Sequence, residues 1–146
     1  MNAQVETSRM RTVYRVLAIV VAAGVALQVA FVAFGSFGML KAADDGDTVD
    51  GSYDNLGQLL HSIGGSVLAL VVLVLLVVSF FAGVPRGKRF AGILTGLMVL
   101  QYVLAIAAFG APVIGLLHGL NGLAIAGVAG TALRQARQPA AVTAAA

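Results

Sequence analysis

Cysteine is absent from the 146 residues, which excludes disulfides, thiolate metal sites, iron–sulfur clusters, c-type haem attachment and thiol nucleophiles together. Tryptophan is absent too, so interfacial anchoring falls to Tyr14, Tyr53, Tyr102 and the basic residues. Charge is scarce: 10% of residues are Asp, Glu, Lys or Arg against 60% hydrophobic, far outside the balance of soluble domains. There is no GxGxxG, Walker loop or HExxH, and no nucleophile with a base at useful spacing. The apolar segments also lack the charged relay residues that pumps use. These absences argue against a hydrolase or a pump.

What remains is long apolar runs. At about 20 residues per crossing of a hydrocarbon core roughly 30 Å thick, the chain has room for four helices and no separate soluble domain. The expected fold is all-α, a single integral membrane domain over residues 1–146 forming an up-down-up-down bundle. Hydropathy places helices at about 13–40, 56–84, 90–109 and 113–133, a polar loop at 41–55 and a tail at 134–146. The first run is too long for the apolar region of a secretory signal and reads as a retained helix. Pro85 and the Gly110-Ala111-Pro112 turn mark stops.

A sequence pI near 9.8 raises the question of nucleic acid, but the basic residues lie in short clusters beside the apolar runs. Arg9, Arg11 and Arg15 precede the first helix, Arg86, Lys88 and Arg89 join the second and third, and Arg134 and Arg137 follow the fourth. Only Lys41 falls on the other side, beside Asp44, Asp45, Asp47, Asp50 and Asp54. The positive-inside rule then puts both termini in the cytoplasm and the acidic loop outside, in a multi-pass protein of the inner (plasma) membrane with lipid, not nucleic acid, around it. The aspartate spacing is not that of an EF-hand, and the loop reads as a solvated linker.

Both histidines of the chain lie in apolar segments, His61 and His118, each about five residues from the acidic-loop end of its helix. At 1.5 Å per residue both sit roughly 7 Å below the outer boundary. An imidazole in hydrocarbon is costly unless bonded or ligated, so intramembrane histidines are functional candidates. In a square bundle the second and fourth helices are diagonal neighbours with axes on the order of 13 Å apart, a gap that two imidazoles and a metal can span.

Zinc wants three or four protein ligands, and no cysteine, membrane carboxylate or third histidine is available. Haem asks the protein only for axial ligands, so His61 and His118 are the candidate metal ligands of one b-type haem. Gly57, Gly64 and Gly65 beside His61, and Gly115, Gly119 and Gly122 beside His118, lie along the ligand faces and would leave a slot for a flat macrocycle. Gly115/Gly119 and Gly92/Gly96 are equally GxxxG patterns, which serve close packing of membrane helices. Gln28, Gln101 and Asn121 read as interhelical hydrogen-bonding groups, each also able to orient an imidazole. Lys41, Tyr53, Gln58 and Ser62 stand where haem propionates would emerge.

Tyr14-Arg15-Val16-Leu17-Ala18, His61-Ser62-Ile63-Gly64-Gly65, Val78-Ser79-Phe80-Phe81-Ala82-Gly83-Val84-Pro85 and Leu117-His118-Gly119-Leu120-Asn121-Gly122 together give a pattern over nearly the whole chain. It resembles a family of small, mostly actinobacterial four-helix membrane proteins of undefined function. In plan the chain is also similar to the bis-histidine b-type cytochromes of membranes, although it carries one histidine pair where transmembrane electron carriers commonly have two.

The expected function is electron transfer through one bis-histidine haem near the outer face, since six-coordinate iron keeps no open position for oxygen chemistry. With most of the bilayer on one side of it, such a haem needs a partner, a membrane quinol or another redox protein. A haem-free accessory or packing subunit of a larger membrane complex, or a homo-oligomer, is the alternative, with both histidines hydrogen-bonding within the bundle.

Overall fold

The computed structural model describes residues 3–138, which form four helices: α1 Ala3–Asp44, α2 Leu56–Ser79, α3 Gly87–Gly110 and α4 Ile114–Arg137. Each of the last three has 24 residues, about 36 Å at 1.5 Å per residue, enough to cross a hydrocarbon core. All four are long and apolar enough to span a membrane. The helices form a ring in which α1 packs on α2 and α4, and α3 on α2 and α4. The diagonal partners are therefore α1 with α3 and α2 with α4.

The surface of this bundle is that of a protein in lipid. Phe109 is 91% exposed and Phe37 and Ile106 are each 72% exposed, burdens that water would oppose and hydrocarbon does not. The buried apolar cluster lies in the half nearer the termini, with Tyr14, Val21, Val72, Leu75, Leu94 and Ile125 as its large enclosed side chains. In the half nearer the acidic loop the interior is built from small and polar residues instead.

Specific hydrogen bonds fix the two ends. At the acidic-loop end Asn55 caps α2, its Oδ1 accepting from the N–H of Gln58 at 3.1 Å, while its Nδ2 donates to the Gly35 carbonyl at 3.0 Å. A Cβ on Gly57 would strike the α1 backbone at Gly35, so only glycine allows the two helices to meet there. In the loop, the Ser52 hydroxyl and N–H donate to Asp50 at 2.6 and 2.8 Å and hold its carboxyl below the usual carboxylate range. At the other end Arg11 donates to the carbonyls of Gly83 at 2.9 Å and Gln138 at 3.1 Å, and the buried Tyr14 hydroxyl donates to Gly87 at 3.2 Å.

The helix limits differ from those drawn by hydropathy. The first helix runs from residue 3 to 44, not 13 to 40, because Gln, Glu, Arg and Lys are good helix formers whose polarity does not end a helix. The second stops at Ser79 although the apolar run continues to 84, since Gly83 takes a positive φ of 56° and Pro85 lacks an N–H. The third begins at Gly87 and the fourth reaches Arg137, each taking in basic residues first assigned to turn or tail. The acidic loop accordingly shortens to 45–55. Residues 139–146 of the expected tail lie outside the described residues.

Candidate functional site

His61 is the sixth residue of α2 and His118 the fifth of α4, so matched depth puts both imidazoles at one level of the bundle. Their rings meet edge to face across the interior, with centroids 6.0 Å apart and planes inclined by 65°. The remaining two helices contribute a glutamine each, Gln28 from α1 and Gln101 from α3, and α4 adds Asn121 one turn below His118. Each helix thus supplies at least one polar side chain to this part of the core.

The contacts within this layer are unequal. His118 is engaged on both ring nitrogens by Gln101: Nδ1 lies 3.1 Å from the Gln101 carbonyl oxygen and Nε2 lies 3.0 Å from the Gln101 side-chain nitrogen. Asn121 donates from Nδ2 to Gln101 Oε1 at 2.6 Å and to the Leu97 carbonyl at 2.8 Å. On the opposite side, His61 Nδ1 and Gln28 Oε1 are buried without a hydrogen-bond partner among the described residues. Buried polar atoms are nearly always satisfied, so these two are the least satisfied groups of the layer.

Whether a haem suits this site can be judged from the rings and from the space around them. Two imidazoles on one metal, with metal–nitrogen bonds of about 2 Å, would have centroids roughly 6 Å apart; the observed 6.0 Å is of that size, while the contact is edge to face and both His118 nitrogens are directed at Gln101. Side chains, not open space, lie beside three of the glycines next to the histidines. A Cβ on Gly64 would strike the Gln28 amide nitrogen, one on Gly65 would lie 3.8 Å from Gln28 Oε1, and one on Gly122 would lie 3.6 Å from Gln101 Nε2. Those positions are occupied by the Gln28 and Gln101 side chains. Two imidazoles are chemically suited to be an axial pair, and the space beside them is filled by those two side chains.

The other expected positions fall elsewhere. Gly57 faces Gly35 at the α1–α2 contact, and a Cβ on Gly115 or Gly119 would meet nothing within 4 Å, as is also true of Gly92 and Gly96. Among the described residues, neither GxxxG pattern has a packing neighbour within 4 Å of where its Cβ atoms would stand. Lys41 pairs with Asp45 on its own helix end, Tyr53 donates to the Gly38 carbonyl at 3.5 Å and Ser62 accepts from Ser66 through its carbonyl. Gln101 and Asn121 do make interhelical bonds, but the double engagement of His118 was not legible from spacing. Among the described residues no three His, Cys, Asp or Glu side chains gather as a metal site, so two imidazoles are the available ligand set.

Comparison with known proteins finds no matching family model, no matching curated protein and no matching solved structure.

Proposed function

We propose that the protein is a b-type haem-binding membrane protein with His61 and His118 as the axial ligands of one haem, serving electron transfer near the acidic-loop face. The observation that carries this reading is the 6.0 Å approach of two imidazoles from diagonal helices, in a layer that also holds Gln28, Gln101 and Asn121. A bound haem would supply a one-electron couple. His61 and His118 would hold the group within lipid-facing apolar helices, and the Gln28 and Gln101 side chains beside Gly64, Gly65 and Gly122 would move aside for it. Both termini are cytoplasmic and the acidic loop is external in this reading, which follows from the basic clusters at the opposite end. A quinol dissolved in the membrane or a redox protein at the outer surface is the electron partner. His61→Ala and His118→Ala test it: each abolishes low-spin bis-histidine absorbance while the protein still inserts, since alanine is tolerated in hydrocarbon. Retention of that absorbance in either variant refutes the assignment.

A second reading is favoured by one observation, the satisfaction of both His118 nitrogens within the bundle. In it the chain is a haem-free accessory subunit of a larger membrane complex or a homo-oligomer. The open faces at Gly92/Gly96 and Gly115/Gly119 would then receive neighbouring helices. Reconstitution distinguishes the two, because only the first gives a visible spectrum.

A further inference from the structure

The orientation of every group around His118 can be deduced from its two ends. The Leu97 carbonyl only accepts, so the Asn121 atom facing it at 2.8 Å is the amide nitrogen. The same nitrogen's second hydrogen points to Gln101 at 2.6 Å, which must present its oxygen there and therefore turns its NH2 toward His118. An NH2 only donates, so His118 Nε2 must accept and carries a lone pair. The other ring nitrogen then bears the hydrogen, and it faces the Gln101 carbonyl at 3.1 Å, which again only accepts. The chain of bonds begins and ends on backbone carbonyls, and the opposite tautomer would set donor against donor at Nε2 and acceptor against acceptor at Nδ1.

We infer that Gln101 is the positioning residue of His118: its backbone carbonyl fixes the Nδ1–H tautomer, and its side-chain amide, aimed by Asn121, caps the Nε2 lone pair that would otherwise be open to a metal. The two contacts have opposite effects on ligation. The carbonyl prepares the imidazole by leaving the lone pair on Nε2, since a metal-binding histidine needs one unprotonated ring nitrogen while the other donates. The amide occupies that lone pair, so an incoming iron must displace it. His61 has no such cap on its buried Nδ1, which leaves the two histidines unequal before loading. This inference concerns the haem-free bundle; its bearing on loading rests on the haem reading above.

Nitrogen NMR of the haem-free protein labelled with 15N-histidine, with His118 assigned by its loss in His118→Ala, reads the tautomer directly. The expected result is a protonated Nδ1 and an unprotonated, hydrogen-bonded Nε2. Gln101→Leu moves the Nε2 resonance to that of an uncapped nitrogen and leaves Nδ1 protonated, while Asn121→Leu, which only releases the amide's aim, moves it part of the way. A protonated Nε2 in the wild type, or an Nε2 resonance unmoved by Gln101→Leu, overturns the inference. In haemin titrations of the same proteins, loss of the cap makes Gln101→Leu bind roughly two- to tenfold tighter than wild type, the worth of one hydrogen bond. Equal or weaker binding by the variant overturns the capping role. The expected NMR pattern with no haemin taken up by either protein refutes the haem reading and leaves the clamp standing.

Discussion

At the scale of single residues, the chain places its rare polar groups where they are most consequential. Asn55 joins two roles in one side chain, a helix cap through Oδ1 and a tie to the preceding helix through Nδ2. Asn55→Ala therefore lowers stability by about 1–2 kcal/mol, measured as a shift in the unfolding midpoint in detergent. The histidine pair was legible in the sequence because depth along a helix is linear in residue number, and two helices entering from one face carry their fifth or sixth residues to one level. The Gln101 clamp was not. It depends on the direction of two amides and on a tautomer, and the residues it joins stand 17 apart in sequence on different helices. If the imidazoles merely hydrogen-bond within the bundle, replacing either changes stability by no more than about 0.6–2 kcal/mol and changes no spectrum.

At the scale of helices, the glycines divide by what they face. Gly57 meets the α1 backbone, so Gly57→Ala forces α1 and α2 apart and costs about 1–3 kcal/mol as overpacking, read from unfolding in detergent. Gly115→Ala and Gly119→Ala, where a Cβ meets nothing within 4 Å, leave the stability of the isolated chain unchanged. Gly64→Leu is different again, since its side chain would occupy the space now held by Gln28; it abolishes haem uptake while the helices still insert. Spacing alone did not separate these cases. All six glycines near the histidines fall at intervals compatible with a ligand face, and only the rotation of each helix in the ring decides which face the core. Helix existence and number were legible because apolar run length reports it. Helix ends were not, since hydropathy is blind to polar helix formers in 3–12 and to the positive φ at Gly83 that stops α2.

At the scale of the whole molecule, the bundle is asymmetric along its axis: a close-packed apolar core lies toward the termini and a polar, glycine-lined layer toward the acidic loop. Basic clusters lie at one end of that axis and five aspartates at the other, and the proposed orientation reads them by the positive-inside rule. In this naturally cysteine-free chain, single cysteines at the exposed Thr48 and Lys88 are labelled from opposite faces, Thr48 from outside. Labelling of both from one face contradicts the orientation. Under the proposed reading a haem would lie toward the acidic-loop end of that axis, and the assignment of the histidine pair to a haem is the central claim. The most direct measurement is the reduced-minus-oxidised visible spectrum of wild-type protein purified from cells supplied with ample haem. The expected result is a low-spin bis-histidine b-type spectrum at one haem per chain; colourless, well-folded protein from the same cells would contradict it.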